Sequence, residues 1–235
     1  MAIYRRIVLK LSGETLSSGD GNCYDEARAQ ETARVILALQ KRGVQLGIVM
    51  GGGNIWRGRF SREMDSVSAD QMGMLATIMN ALALAEAIVR LGGRASVFTA
   101  QEMNRFARLY TRDAALQSME AGDVALLAGG TGNPFCTTDT AAALRAAELH
   151  ADALLKGTKE EGLFDDDPRK NPNAKLIPEI SYQEAFDRRL NVMDITAFEI
   201  CRSQKIPQIR IFSMEDLNNI LRVADGEGIG STVHQ

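Results

Sequence analysis

Residues 130–139, Gly-Thr-Gly-Asn-Pro-Phe-Cys-Thr-Thr-Asp, hold the groups that a phosphate needs. Glycines let backbone N–H groups approach a ligand closely. Thr137 and Thr138 offer hydroxyls, and a helix opening there would turn its free N–H groups toward the same point. The run 123–128 before this turn is apolar and reads as a buried strand; the Ala-rich run 140–150 after it reads as a helix. An ordinary strand–turn–helix corner with a capping Thr is the other reading of the same residues.

Three further segments could join that chemistry. In Lys10-Leu11-Ser12-Gly13-Glu14, Lys10 interrupts the apolar run 7–11. A buried ammonium is costly unless paired, so an anion should lie beside it; an edge-strand lysine reaching solvent is the alternative. Gly51-Gly52-Gly53-Asn54-Ile55-Trp56-Arg57 is neither a Walker A loop nor a dinucleotide fingerprint, because Trp56 stands where the last Gly would be. It reads as backbone pressed against a ligand with Arg57 forking onto phosphate oxygens, or as a flexible loop. The segment 156–168 brings Lys156, Thr158 and Lys159, then Phe164 and an acidic turn ending at Asp167-Pro168. Asp165 and Asp166 read as solvated, whereas an exposed aromatic such as Phe164 in a polar loop stacks on something. Asp70 is read first as the cap of a long helix; the same carboxylate would also suit the hydroxyls of a ribose. Met72 and Met74 read as core filler.

The 235 residues are 45% hydrophobic and 24% charged, with net charge −3. That is an ordinary globular composition, and it gives a polyanionic surface little to attract, which argues against nucleic acid or anionic membrane as the main partner. Cys23, Cys136 and Cys201 are odd in number and far apart, without a zinc spacing, which fits a reducing cytoplasm. His150 and His234 are the chain's only histidines, so acid–base work would fall to other groups. The N-terminal residues lack the apolar core of a signal peptide, and the apolar stretch 74–89 is too short and too interrupted to span a bilayer. Gathered cations and backbone donors without a histidine base suit phosphoryl transfer, where positioning and charge neutralisation dominate.

These residues need a scaffold that brings several turns to one edge. Strands are expected at 7–11, 44–50, 95–99, 123–128, 151–156, 208–212 and 230–233. Helices are expected at 25–42 behind Asp25, 70–91 before Gly92-Gly93, 111–121, 138–150, 181–189, 194–204 and 214–223. The segment 157–173 is irregular. This βαβα order predicts an α/β fold: a mainly parallel, twisted sheet with helices on both faces, a three-layer αβα sandwich. Right-handed crossovers put the strand C-termini, and hence both Gly-rich turns, on one edge, where such sheets bind ligands.

KLSGE at 10–14, GGGN-x-x-RG at 51–58, D-x-MGMLAT at 70–77, GTGNPF-x-TTD at 130–139, K-x-T-K at 156–159 with its later Asp-Pro, and NVMD-x-x-AF at 191–198 occur in this order over nearly the whole chain. Together they resemble the bacterial UMP kinases (uridylate kinases) of the amino-acid-kinase family. The resemblance implies one domain, 1–235, with its N-terminal part mainly for UMP and about 156–235 mainly for ATP. It implies magnesium-assisted transfer of the ATP γ-phosphate to UMP, in pyrimidine nucleotide biosynthesis. Lys10, Leu11, Ser12, Gly13, Gly53 and Arg57 would line the ATP phosphates, and Thr158, Phe164 and Asp167 the adenine and ribose. Gly52, Asp70, Thr131, Gly132, Asn133, Pro134, Phe135, Cys136, Thr137 and Thr138 would hold UMP. Asp139 would orient the lysines, with Lys156 a second cation at the phosphates, and no protein residue is assigned to metal. A cytoplasmic homohexamer is implied, inhibited by UTP and activated by GTP through Ser18, Gly19, Asp20, Gly21, Asn22 and Cys23.

Cys136, Gln71, Glu160, Glu161 and an extra Gln208 depart from the commoner pattern. Competing readings are another acid or phosphate kinase on the same fold, and a non-catalytic nucleotide-binding regulator or storage protein; the fold alone does not choose among them.

Overall fold

Side-chain alternation along β1 (Arg6–Leu11) assigns the two faces of the sheet. Ile7, Leu9 and Leu11 are buried on one face and Val8 on the other, so Lys10 shares the face of Val8. The computed structural model describes residues 2–18, 22–57, 63–190 and 193–235. Among these, nine strands form one sheet. They are β1, β2 (Gln45–Met50), β3 (Ala95–Thr99), β4 (Arg108–Leu109), β5 (Val124–Ala128), β6 (Ala153–Thr158), β7 (Glu179–Ser181), β8 (Gln208–Ser213) and β9 (Ser231–His234). Their order is β4-β3-β5-β2-β1-β6-β8-β9-β7, parallel throughout except for the antiparallel pair β8 and β9.

Helices cover both faces, as expected of strands apolar on both sides. On one, α1 (Glu26–Gln40), α2 (Ser66–Arg90) and α7 (Asn219–Ala224) pack on Ile7, Leu9, Leu46, Ile48 and Leu155. On the other, α3 (Arg112–Glu120), α4 (Thr138–Glu148), α5 (Tyr182–Asp187) and α6 (Ile195–Ser203) pack on Val8, Val49, Leu127, Leu154 and Ile209. The three-layer αβα sandwich with a mainly parallel sheet is therefore present. β1 lies between β2 and β6, so the chain winds away from it in both directions and leaves a switch point at its C-terminal end.

Several boundaries differ from expectation. The long helix opens at Ser66, because the Asp65 carboxylate accepts the Ser68 N–H at 3.1 Å. Asp70 is thus inside the helix and does not cap it. The last helix is shorter than 214–223: Ser213 and Asp216 side chains take the N–H groups of Glu215 and Asn218, and their turns delay the helix to Asn219. β4 and β7 were not anticipated, being too short for a periodic signal. α2 is long and apolar enough by length and composition to cross a membrane, yet Ala76, Ile78, Ala81, Leu84 and Ile88 bury one side of it in the core. Met72 is exposed, as are Leu75 and Met79, while Met74 is half-buried, so the reading of Met72 as core filler is corrected.

Candidate active site

Lys10 and Lys156 are register partners on the adjacent parallel strands β1 and β6. Both stand at the C-terminal end of the sheet, on the face covered by α4. The first turn of α4 supplies the anion that Lys10 required: Asp139 Oδ1 lies 2.9 Å from Lys10 Nζ, and Asp139 Oδ2 pairs with Lys156 Nζ. All three side chains are largely buried, Lys156 with only 7% of its side chain exposed. Burial by itself would raise the Asp139 carboxyl, but the two ammoniums outweigh it and hold it below the usual carboxylate range. Burial pushes the Lys156 ammonium down, with Asp139 opposing. Two cations sharing one carboxylate leave an excess positive charge at the switch point.

The charge faces an open cleft of about 1020 Å³. Of the predicted residues it gathers Lys10, Ser12, Gly13, Gly52, Gly53, Arg57, Thr138, Lys156, Thr158, Phe164 and Asp167 along its walls. Phe164 is half-buried, its backbone bridged to Leu176, so it is a wall of the cleft rather than a free aromatic. Leu11 differs: its side chain is fully buried beneath α1 and α2, and its carbonyl takes the Gly51 N–H at 2.8 Å. Only its backbone reaches the neighbourhood of the loops.

The Gly51–Gly53 turn is built rather than loose. Asn80 Nδ2 donates to the Gly51 carbonyl at 2.7 Å and pairs with the Asn54 amide, while Trp56 Nε1 donates to the Ala69 carbonyl at 2.9 Å. A Cβ at Gly13 would fall 2.1 Å from Asn54 Oδ1, and one at Gly52 would fall 2.8 Å from Ala76 Cβ, so neither position admits a side chain. Arg57 donates to the Gly53 carbonyl at 2.7 Å and pairs with Glu14, which also pairs with Lys159.

The turn 129–137 lies beside α2. Gly129 N–H donates to Thr77 Oγ1 at 2.9 Å, and Phe135 N–H donates to Asp70 Oδ2 at 2.7 Å. Asp70, freed from capping, therefore ties α2 to this turn. Phe135 takes a left-handed φ of 64° and is 75% exposed, with Cys136 exposed beside it. Thr131 Oγ1 accepts the Asn133 N–H at 3.2 Å; Gly132 and Pro134 complete the turn. Thr137 caps α4 through the N–H groups of Asp139 and Thr140.

Sequence reasoning passed over Glu14 as a partner of two cations, and over Asp194 and Arg145. Arg145 is buried at 3.8 Å over the Tyr110 ring, bonded to Glu148, with its Nη2 3.5 Å from the Gly130 carbonyl. A charged residue amid the alanines of α4 was the available signal. Of the expected effector loop, Gly19, Asp20 and Gly21 lie outside the described residues, as do Gly58, Asn191 and Val192 of the recurring motifs. Among the described residues no cluster of His, Cys, Asp and Glu has the makings of a metal cage.

Strand-end lysines at the switch point of a helix-covered parallel sheet, without a Walker A loop, mark a class of α/β phosphotransferase. The chain belongs to the amino acid kinase family, whose model matches residues 5–213. A uridylate kinase of Parabacteroides distasonis is 46% identical over 236 aligned residues, covering 100% of both chains. A crystal structure of UMP kinase from Bacillus anthracis matches with TM-score 0.94 at 32% identity, over 98% of this chain and 96% of that one. A UMP kinase from Ureaplasma parvum matches with TM-score 0.92 at 34% identity, over 98% and 99%.

Proposed function

We propose that this chain is a UMP kinase, transferring the γ-phosphoryl group of ATP to UMP to give UDP and ADP. The observation that carries the reading is the pairing of Lys10 and Lys156 about Asp139 at the cleft, in a chain whose full-length relatives are uridylate kinases.

The acceptor is a phosphate monoester with a second pKa of about 6, so its attacking oxygen is already anionic at neutral pH. No general base is needed. The attacking oxygen bonds to the γ-phosphorus as the bond to the β,γ-bridging oxygen breaks, and ADP leaves with that electron pair. The difficulty is bringing two polyanions together. Lys10 and Lys156 neutralise the transferring group, and Arg57 turns from Glu14 to the triphosphate. Ser12, Gly13 and Gly53 offer backbone N–H groups to the same phosphates. Thr158, Phe164 and Asp167 hold adenine and its ribose; Asp70 holds the ribose of UMP, and 131–138, with Gly52, its base and phosphate. The N-terminal part thus serves UMP and 156–235 serves ATP. Magnesium fits as a passenger on the triphosphate, where it would offset phosphate charge, since such ions keep waters and phosphate ligands rather than a full protein cage.

The exposed apolar stripe Met72, Leu75 and Met79 supports assembly of dimers into a homohexamer, which light scattering tests against a monomer. The reading places the enzyme in the cytoplasm, in pyrimidine nucleotide synthesis, with UTP as inhibitor and GTP as activator. The deciding assay is ADP release with Mg-ATP against UMP, CMP, dUMP, AMP and acetylglutamate in parallel. Selective turnover of UMP is expected. Turnover of another acceptor would move specificity to Cys136 and Gln71; ATP binding with no turnover of any acceptor would favour a regulator.

A further inference from the structure

Two helix N-termini meet at one carboxylate. Asp194 caps α6, its Oδ1 accepting the Ala197 N–H at 2.8 Å. Its Oδ2 accepts the Thr140 hydroxyl at 2.9 Å and also the Thr137 hydroxyl. Thr137 is itself the cap of α4, accepting the N–H groups of Asp139 at 3.0 Å and Thr140 at 3.2 Å.

The chemistry of a hydroxyl makes this a lock. Thr has one proton and two lone-pair directions. With the proton of Thr137 committed to Asp194, both lone pairs face the amides of α4. The residue carrying one of those amides is Asp139, whose carboxylate sets the spacing of Lys10 and Lys156. Thr140 is buried, so its hydroxyl needs the partner that Asp194 provides. The negative charge of Asp194 also acts on Lys156, favouring its ammonium form.

We propose that Asp194 is a positioning residue for phosphoryl transfer: it ties the N-cap of α4 to that of α6 and so fixes where Asp139 holds the two lysines. The proposal rests on the phosphotransfer reading for its kinetic consequence, and on the hydrogen bonds of Asp194 to Thr137 and Thr140 for its structural one; its effect on Lys156 is one of charge.

The test compares Asp194→Ser with Asp194→Asn in the full chain. Serine still caps α6 but is too short to span to α4; asparagine keeps the cap through Oδ1 but turns an N–H donor, in place of the acceptor Oδ2, toward Thr137 and Thr140. For Asp194→Ser the expected result is a fall in kcat of about a hundredfold, the scale of an ångström misplacement. KM for both nucleotides should stay within about threefold, as for an interaction realised only in the transition state. Asp194→Asn should show a comparable fall, because an amide N–H facing Thr137 takes a lone pair away from the α4 amides. Thr140→Val removes one of the two ties from the α4 side, leaving that of Thr137, so a smaller fall in kcat in the same direction is expected if Asp194→Ser fails to fold.

A second readout needs no acceptor. The pH dependence of Lys156 acetylation by acetic anhydride, followed by mass spectrometry, reports the lysine's own titration. Asp139, Lys10 and Asp194 are the charged groups acting on it. Losing Asp194 should move that titration to lower pH. If the parent chain turns over no UMP, the function reading fails, and the labelling alone decides the coupling. A folded Asp194→Ser protein with unaltered Lys156 titration, or with kcat within about threefold of the parent, overturns the proposal.

Discussion

Lys10 and Lys156 lie side by side in the sheet, paired in register between β1 and β6, and a single carboxylate on α4 serves both. Like charges do not settle at neighbouring buried positions without a reason. The shared Asp139 neutralises one charge, and the excess that remains is suited to a polyphosphate.

Lys10→Ala removes a cation aimed at developing charge. Turnover should fall about a hundredfold or more, the usual loss of one preorganised donor. UMP binding, followed by calorimetry, should change little. Unchanged turnover would remove Lys10 from the mechanism.

Asp139 ties stability to acid. Its folded carboxyl titrates below the ordinary value, so the unfolded chain takes up the proton first as pH falls. The stabilisation is fully present above about pH 4 and is lost as pH drops through the folded value. Asp139→Asn should cost about 3 kcal/mol at neutral pH, because it leaves two buried ammoniums without their anion. It should also flatten the acid limb of the parent's stability curve. Urea melts between pH 3 and 7, spanning the ordinary carboxylate range, measure both; an acid limb identical to the parent's would contradict the assignment.

Asp65 and Asp70 should separate cleanly. Asp65→Ala loses a helix cap, about 1 kcal/mol, with substrate constants unchanged. Asp70→Ala leaves the cap intact but frees the Phe135 N–H and should raise KM for UMP about tenfold or more. Melting temperature and KM, measured on the same two proteins, decide whether these roles are assigned correctly.

Phe164→Ala tests the ATP wall. If adenine stacks there, KM for ATP should rise about tenfold or more, in line with roughly 1–3 kcal/mol per stacked base, and KM for UMP should not. Equal effects on both substrates would assign Phe164 to packing alone.

Buried Arg145, with half-buried Tyr110 and Glu148, forms a brace beside the turn at Gly130. Burial, and next the bond to Glu148, push the Tyr110 phenol above its usual range, so ultraviolet titration should find this tyrosine protonated when free phenols have ionised. Arg145→Met should destabilise the fold by about 2–3 kcal/mol, since Glu148 keeps its charge without its cation. A stability change near zero would count against the brace.

What the sequence determined by itself are features that break a local rule. A lysine in an apolar strand, glycines massed after strands and a Thr-Thr-Asp helix start each contradict the surrounding pattern, and Lys10, Gly51–Gly53 and Thr138 among them line the cleft. Strand and helix alternation was legible for the same reason: periodic burial leaves a periodic record, from which the parallel, two-faced sheet follows. Tertiary structure alone decided the rest. That Lys10 stands beside Lys156 is a matter of strand order, which no local pattern encodes. Asp65 and Asp70 are both chemically able to cap α2, and only the folded chain shows Asp65 at the cap and Asp70 bonded to Phe135. Leu11 stands in a recognisable motif, yet the pleat turns it into the core. Asp194 reads only as the first residue of the helix expected over 194–204, until packing of α6 on α4 presents its second oxygen to Thr137 and Thr140. Hydrogen bonds between distant segments depend on how helices meet across a sheet, and that is set by the packing of the whole core.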